Sequence, residues 1–186
     1  NSTGTTTDAN GTIAIGHSSL KALTSGNGNT AVGFESLKLN EDGDRNTAVG
    51  YQALTTHEAD TDGHGQNTAL GYQAGGDVNT GTSNTFVGSR AGNQGTNDIT
   101  TGDNNTLIGM EARASAAGAA NQTVIGASAI GVANNSVTLG NADVTDVYMS
   151  DDAKVTGALV HCGGVSGSST STGSFGALHT AGRVGI

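Results

Sequence analysis

Five histidines, one cysteine and sixteen carboxylates are the residues of this 186-residue chain with the most scope for chemistry. Asp60-Thr61-Asp62-Gly63 opens like a calcium loop, with two carboxylates spaced to share one cation. The later ligands and the closing Glu of such a loop are missing. With His57, Glu58 and His64 nearby, Asp60 and Asp62 remain a candidate loop cation site. The plainer reading is a solvated acidic insert, and it applies equally to Asp42 and Asp44. His161 and Cys162 pair an imidazole with a thiolate, both ligands for transition metals. Neighbours in an extended strand point to opposite faces, so at most one of the two can face an axis. Walker loop, dinucleotide fingerprint, nucleophile elbow and zinc spacing are all absent from the sequence. Cleavage of a glycan by paired carboxylates needs a cleft, and carboxylates carried on loops do not make one. The expectation is a non-catalytic protein without a cofactor or a bound metal.

Composition narrows the classes further. The chain has 31 Gly, no Pro, 3% aromatic residues and a net charge of −9. Large aromatics supply much of a compact core, so Thr, Asn, Ser, Gly and Ala in this proportion suit a strand-rich repeat better than a closed globule. An acidic chain with no basic stripe is a poor partner for nucleic acid. No apolar run approaches the ~18 residues of a membrane span, so no membrane insertion is expected. Gly lacks the every-third-residue period of collagen. Cys162 alone forms no intrachain disulfide. Residue 1 is Asn, which reads as a piece of something longer, with any signal peptide or anchor outside this window.

A repeat organises the first 140 residues. Asn46-Thr47-Ala48-Val49-Gly50-Tyr51-Gln52-Ala53-Leu54 recurs as Asn29 to Leu37, Asn67 to Ala74 and Asn84 to Gly88, and more loosely around four other positions. The repeat glycines are Gly16, Gly33, Gly50, Gly71, Gly88, Gly109, Gly126 and Gly140, separated by 17, 17, 21, 17, 21, 17 and 14 residues. A 14-residue coil with additions of three or seven residues is the simplest account, because surface loops absorb insertions at little entropic cost. Those additions hold most of the acidic charge.

Each copy reads as a short β-strand ended by a Gly that permits a turn or a close approach. The residue before each Gly is a branched aliphatic (Ile15, Val32, Val49, Leu70, Val87, Ile108, Ile125 and Leu139) and is the expected inward column. Three residues after the Gly stands Ser or Ala, which implies tight packing within a coil or between chains. Phe34, Tyr51 and Tyr72 follow the Gly in successive coils and should stack as a ladder. Coils paired at about 4.8 Å would build a rod on the order of 35–40 Å long. A coil this small encloses a thin core, so three chains side by side are expected.

Eight such units in phase resemble the head repeats of trimeric autotransporter adhesins over about residues 10–140. The resemblance implies a left-handed parallel β-roll, three rolls to a homotrimer. The 17- and 21-residue spacings and the Tyr-Gln-Ala segments resemble instead a variant found in bacteriophage tail fibres. After Gly140 the register stops. Residues 138–150 and 166–186 resemble tail-fibre shaft segments, and no heptad of an adhesin stalk appears within these 186 residues. The expected organisation is a β-roll domain over 1–140, a neck or transition β segment over 141–162, and a Gly/Ser/Thr-rich shaft segment over 163–186.

The function this implies is a structural segment of a trimeric fibre that spaces or displays a receptor-binding tip on an extracellular virion. The alternative is the head of a cell-surface adhesin that binds host matrix or glycan on a bacterium. Contact with a host glycan or protein would fall to the loops at 38–45, 57–66 and 93–104, since loops tolerate sequence change that coils do not.

Overall fold

The computed structural model describes residues 10–58, 65–145 and 147, which belong to one compact unit, Asn1–Val147. Asp60, Asp62, His161, Cys162, the shaft segment 163–186 and most of the neck 141–162 lie outside the described residues.

The described chain is a parallel β-solenoid of about seven turns. Its eight strands are β1 (Ile13–Ile15), β2 (Thr30–Val32), β3 (Thr47–Val49), β4 (Thr68–Leu70), β5 (Thr85–Val87), β6 (Thr106–Ile108), β7 (Gln122–Ile125) and β8 (Ser136–Leu139). They form one sheet in chain order, each parallel to the next. Register follows the repeat: Thr47 lies beside Thr68, Ala48 beside Ala69 and Val49 beside Leu70. The 17- and 21-residue steps stack in the same register. The added residues are therefore accommodated in the loops and leave the strand ladder intact. No α-helix occurs among the described residues; a 3-10 turn at Gly95–Asn97 lies in one insert.

The direction of each strand is set by the Asn that precedes it. Asn29, Asn46, Asn67, Asn84 and Asn105 are all fully buried. Each carboxamide oxygen accepts the main-chain N–H of its counterpart one coil on, at 2.9–3.0 Å for Asn46, Asn67, Asn84 and Asn105. Gln122 continues the chain by donating its N–H to Asn105 at 3.0 Å. The amide nitrogens of Asn29, Asn67, Asn84 and Asn105 donate to a turn carbonyl at 2.7–2.8 Å. With Asn inward, alternation turns the following Thr outward, the next residue inward and the last residue outward.

This corrects the expected inward column. Ile15 is 60% exposed, Leu70 50%, Ile125 40% and Leu139 48%, while Val32, Val49, Val87 and Ile108 are half-buried on the same outward face. The inward column in β2 to β7 is Ala31, Ala48, Ala69, Phe86, Leu107 and Val124, each fully buried, whereas the equivalent Ala14 of the terminal strand β1 is exposed. Period-2 alternation alone allows either phase, and the buried Asn selects this one.

The core conserves volume by exchange between positions. In the early coils a small strand residue (Ala31, Ala48) accompanies a buried Leu after the turn (Leu37, Leu54). In the fifth coil the strand residue is Phe86, and the Leu positions become Gly75 and Gly92. A Cβ on Gly75 would sit 2.7 Å from the Phe86 ring, and one on Gly92 would sit 2.3 Å from it. Ser19, Ser36, Ala53, Ala74, Ala91, Ala112 and Ala129 are buried within the chain. Their small size therefore serves packing inside each coil.

The repeat glycines are held by two constraints together. Gly50 has φ of +143°, and a Cβ there would lie 2.2 Å from the Gly71 carbonyl oxygen. The same contact recurs from Gly16 to Gly109, at 2.2–2.7 Å from the glycine oxygen of the next coil.

Candidate functional site

The principal surface feature is the outward face of the strands. Thr30, Thr47, Thr68, Thr85, Thr106 and Thr123 form one row, and the aliphatics from Ile15 to Leu139 form the next. The aliphatic row runs the length of the sheet and the Thr row from β2 to β7, with Ile13 and Val137 at its two ends, because each residue is paired in register with its equivalent. A continuous apolar stripe on one face of a sheet is a surface for association.

Around the corner after the glycine lies the aromatic row. His17, Phe34, Tyr51 and Tyr72 stack with ring centroids 5.1–5.4 Å apart and planes within 9–12° of parallel. The ladder expected at three residues therefore extends to His17. The rings spend their faces on one another and present their edges outward, each contact adding about 0.5–1.5 kcal/mol. One residue further, Gln73 donates to Gln52 at 3.0 Å and Gln52 to Glu35 at 2.9 Å. Lys38 caps that row with an ion pair to Glu35 at 2.8 Å. The Lys38 and Gln52 hydrogen bonds hold the Glu35 carboxyl below the usual range. Arg90 and Glu111 make a second ion pair, at 2.7 Å, and this one spans two coils.

The insert loops form the other flank, and three of their acids, Asp42, Asp44 and Asp103, are engaged. Asp42 accepts from Thr24 at 2.5 Å and Ser25 at 2.7 Å, and those hydroxyls hold its carboxyl below the ordinary carboxylate range. Asp44 is buried and accepts the Asn27 main-chain N–H at 2.6 Å. Asp103 accepts both the N–H and hydroxyl of Thr82, at 2.7 and 2.9 Å. These carboxylates staple one coil to the preceding one, a role that the reading of a solvated acidic insert did not foresee.

A groove of about 490 Å³ lies between the later inserts, lined among others by Leu39, Glu58, Asp77, Asp98 and Thr100. Burial pushes the Asp98 carboxyl up to about 6, and the adjoining Asp77 carboxyl adds to this, while the Gln94 main-chain N–H pulls it down. The sequence signal for this pair was available: the two acids are 21 residues apart, equal to the longer coil step. Among the described residues no group of three or more His, Cys, Asp or Glu could hold a metal ion. No described helix is long and apolar enough to cross a membrane.

No protein-family model matches this chain, and neither the curated proteins nor the solved structures compared with it contain a match.

Proposed function

We propose that this chain is a structural segment of a homotrimeric fibre, a non-catalytic rod that spaces a receptor-binding tip from an extracellular particle. The carrying observation is the outward aliphatic column from Ile15 to Leu139, which among the described residues is left half-buried to exposed along the whole sheet. Covering a half-exposed Val, Leu or Ile stabilises by about 1 kcal/mol per residue. Eight such residues in line give an interface whose strength grows with rod length. Three chains packed on this face in parallel keep the strands in register and leave the insert loops on the outside.

A mechanical role fits the remaining features. Coil-to-coil hydrogen bonds, the Asn ladder and the acidic staples all resist separation along one axis. Any contact with a host glycan or protein would fall to the loops at 38–45, 57–66 and 93–104. In the first of these Asp42 and Asp44 already serve the fold, so recognition there would rest on the exposed Leu39, Glu41 and Arg45.

Antibodies raised against the purified chain test the reading in negative-stain images of the source material. Decoration along viral tail fibres is the expected result. Decoration of bacterial surfaces with no labelled virions would replace it with the adhesin alternative.

A further inference from the structure

The corner of the coils carries an inward column of Leu23, Asn40, His57, Val78 and Ile99, every one buried. Two successive polar residues thus interrupt an apolar column. His57 is fully buried and neither ring nitrogen closes a well-formed hydrogen bond, the Asn79 main chain being a nearby polar group that weakly favours its protonated form. Asn40 donates its amide to the Gly43 carbonyl at 3.0 Å, but its Oδ1 accepts nothing. Asn46 Nδ2 is likewise unpartnered, whereas the equivalent amides of Asn29, Asn67, Asn84 and Asn105 all donate to turn carbonyls. These atoms converge beside Gly43. A Cβ built on that glycine would lie 2.3 Å from Asn40 Oδ1 and 3.2 Å from both Asn46 Nδ2 and His57 Nε2.

We propose that this point of the core is a hydration site, where an ordered water is held by Asn40 Oδ1, Asn46 Nδ2 and the His57 imidazole. The donor and acceptor count selects the ligand. A neutral imidazole offers one donor and one acceptor, Asn40 an acceptor and Asn46 a donor. A bare cation would face the Asn46 amide hydrogens, and an anion would face Asn40 Oδ1. An apolar molecule would leave every atom unpaired. Water alone both donates and accepts, and a buried water typically makes about three hydrogen bonds to such groups. Only glycine fits at position 43, since a Cβ there would collide with Asn40 Oδ1 at 2.3 Å.

Diffraction to atomic resolution from crystals of the full chain, with a parallel thallium(I) soak, tests the assignment. The expected result is a solvent oxygen within hydrogen-bond distance of Asn40 Oδ1, Asn46 Nδ2 and a His57 nitrogen, without anomalous signal. Direct pairing of Asn40 with His57 and no solvent density would overturn it, as would a thallium peak at the site. The double variant Asn40→Leu/His57→Val copies the flanking Leu23 and Val78. It should keep the circular dichroism spectrum and lose the density; density retained in the folded variant would contradict the site.

Discussion

At the scale of single residues, the buried asparagines carry a structural burden that their polarity disguises. Asn84 accepts from the N–H and amide of Asn105 and donates to Gly102 and Asn67. Removing one side chain from such a network orphans several buried groups, each worth about 1–3 kcal/mol. Asn84→Ala should lower the unfolding free energy by about 3 kcal/mol in urea titrations at fixed protomer concentration. A loss below about 0.5 kcal/mol would mean that the ladder is ornamental. Titration adds a second residue-scale test. Burial pushes His57 from 6.5 down to about 4, with the Asn79 main chain pulling weakly the other way. Between those values the unfolded chain binds the proton and the folded chain does not, so stability is full above about pH 6.5 and falls as pH drops toward 4. Asp98 acts oppositely. Its carboxyl is raised from 3.8 to about 6, so its contribution is lost as pH rises through that window. The two slopes partly cancel in the wild type, and comparison of variants separates them. His57→Val should lose less stability on acidification from pH 7 to 4, by up to about 3 kcal/mol. Parallel profiles for wild type and variant would contradict this.

At the scale of the coil, backbone geometry and side-chain phase are set by different residues. Gly50→Ala places a Cβ against the Gly71 carbonyl at a φ that L residues rarely adopt. It should cost more than about 3 kcal/mol or prevent folding. Gly118→Ala is the contrast: an exposed glycine with only Thr101 Oγ1 at 3.5 Å, expected to change stability by less than about 0.5 kcal/mol. Equal effects on thermal unfolding would refute the column's role. The strands, their register and the ring ladder were legible in the sequence because eight copies recur in phase. The inward face was not, since Thr-Ala-Val read alone makes Val look like core and Ala look like spacer. Only the hydrogen bonds of the preceding Asn fix the phase, and these link coils 17 or 21 residues apart. The Phe86 exchange with Gly75 was hidden for the same reason, because those partners are in different coils. The Asp42 and Asp44 staples were hidden too, since a carboxylate in a loop looks alike whether it meets water or a hydroxyl one coil away.

At the scale of the molecule, the outward column separates folding of the chain from the assembly proposed for it. Leu70→Lys changes a half-exposed residue and leaves the coil interior untouched. The variant should therefore keep its circular dichroism spectrum while losing self-association. Ala69→Lys, one residue earlier and fully buried, should abolish the fold. If Leu70→Lys, combined with Val49→Lys, still assembled as the parent does, the strand face would not be the interface. The measurement that bears most directly on the fibre account is the native mass of the whole chain by light scattering. The protomer is 18.2 kDa, and the account predicts a species of about 55 kDa, three copies in a closed ring. A stable 18.2 kDa monomer at micromolar concentration would contradict it.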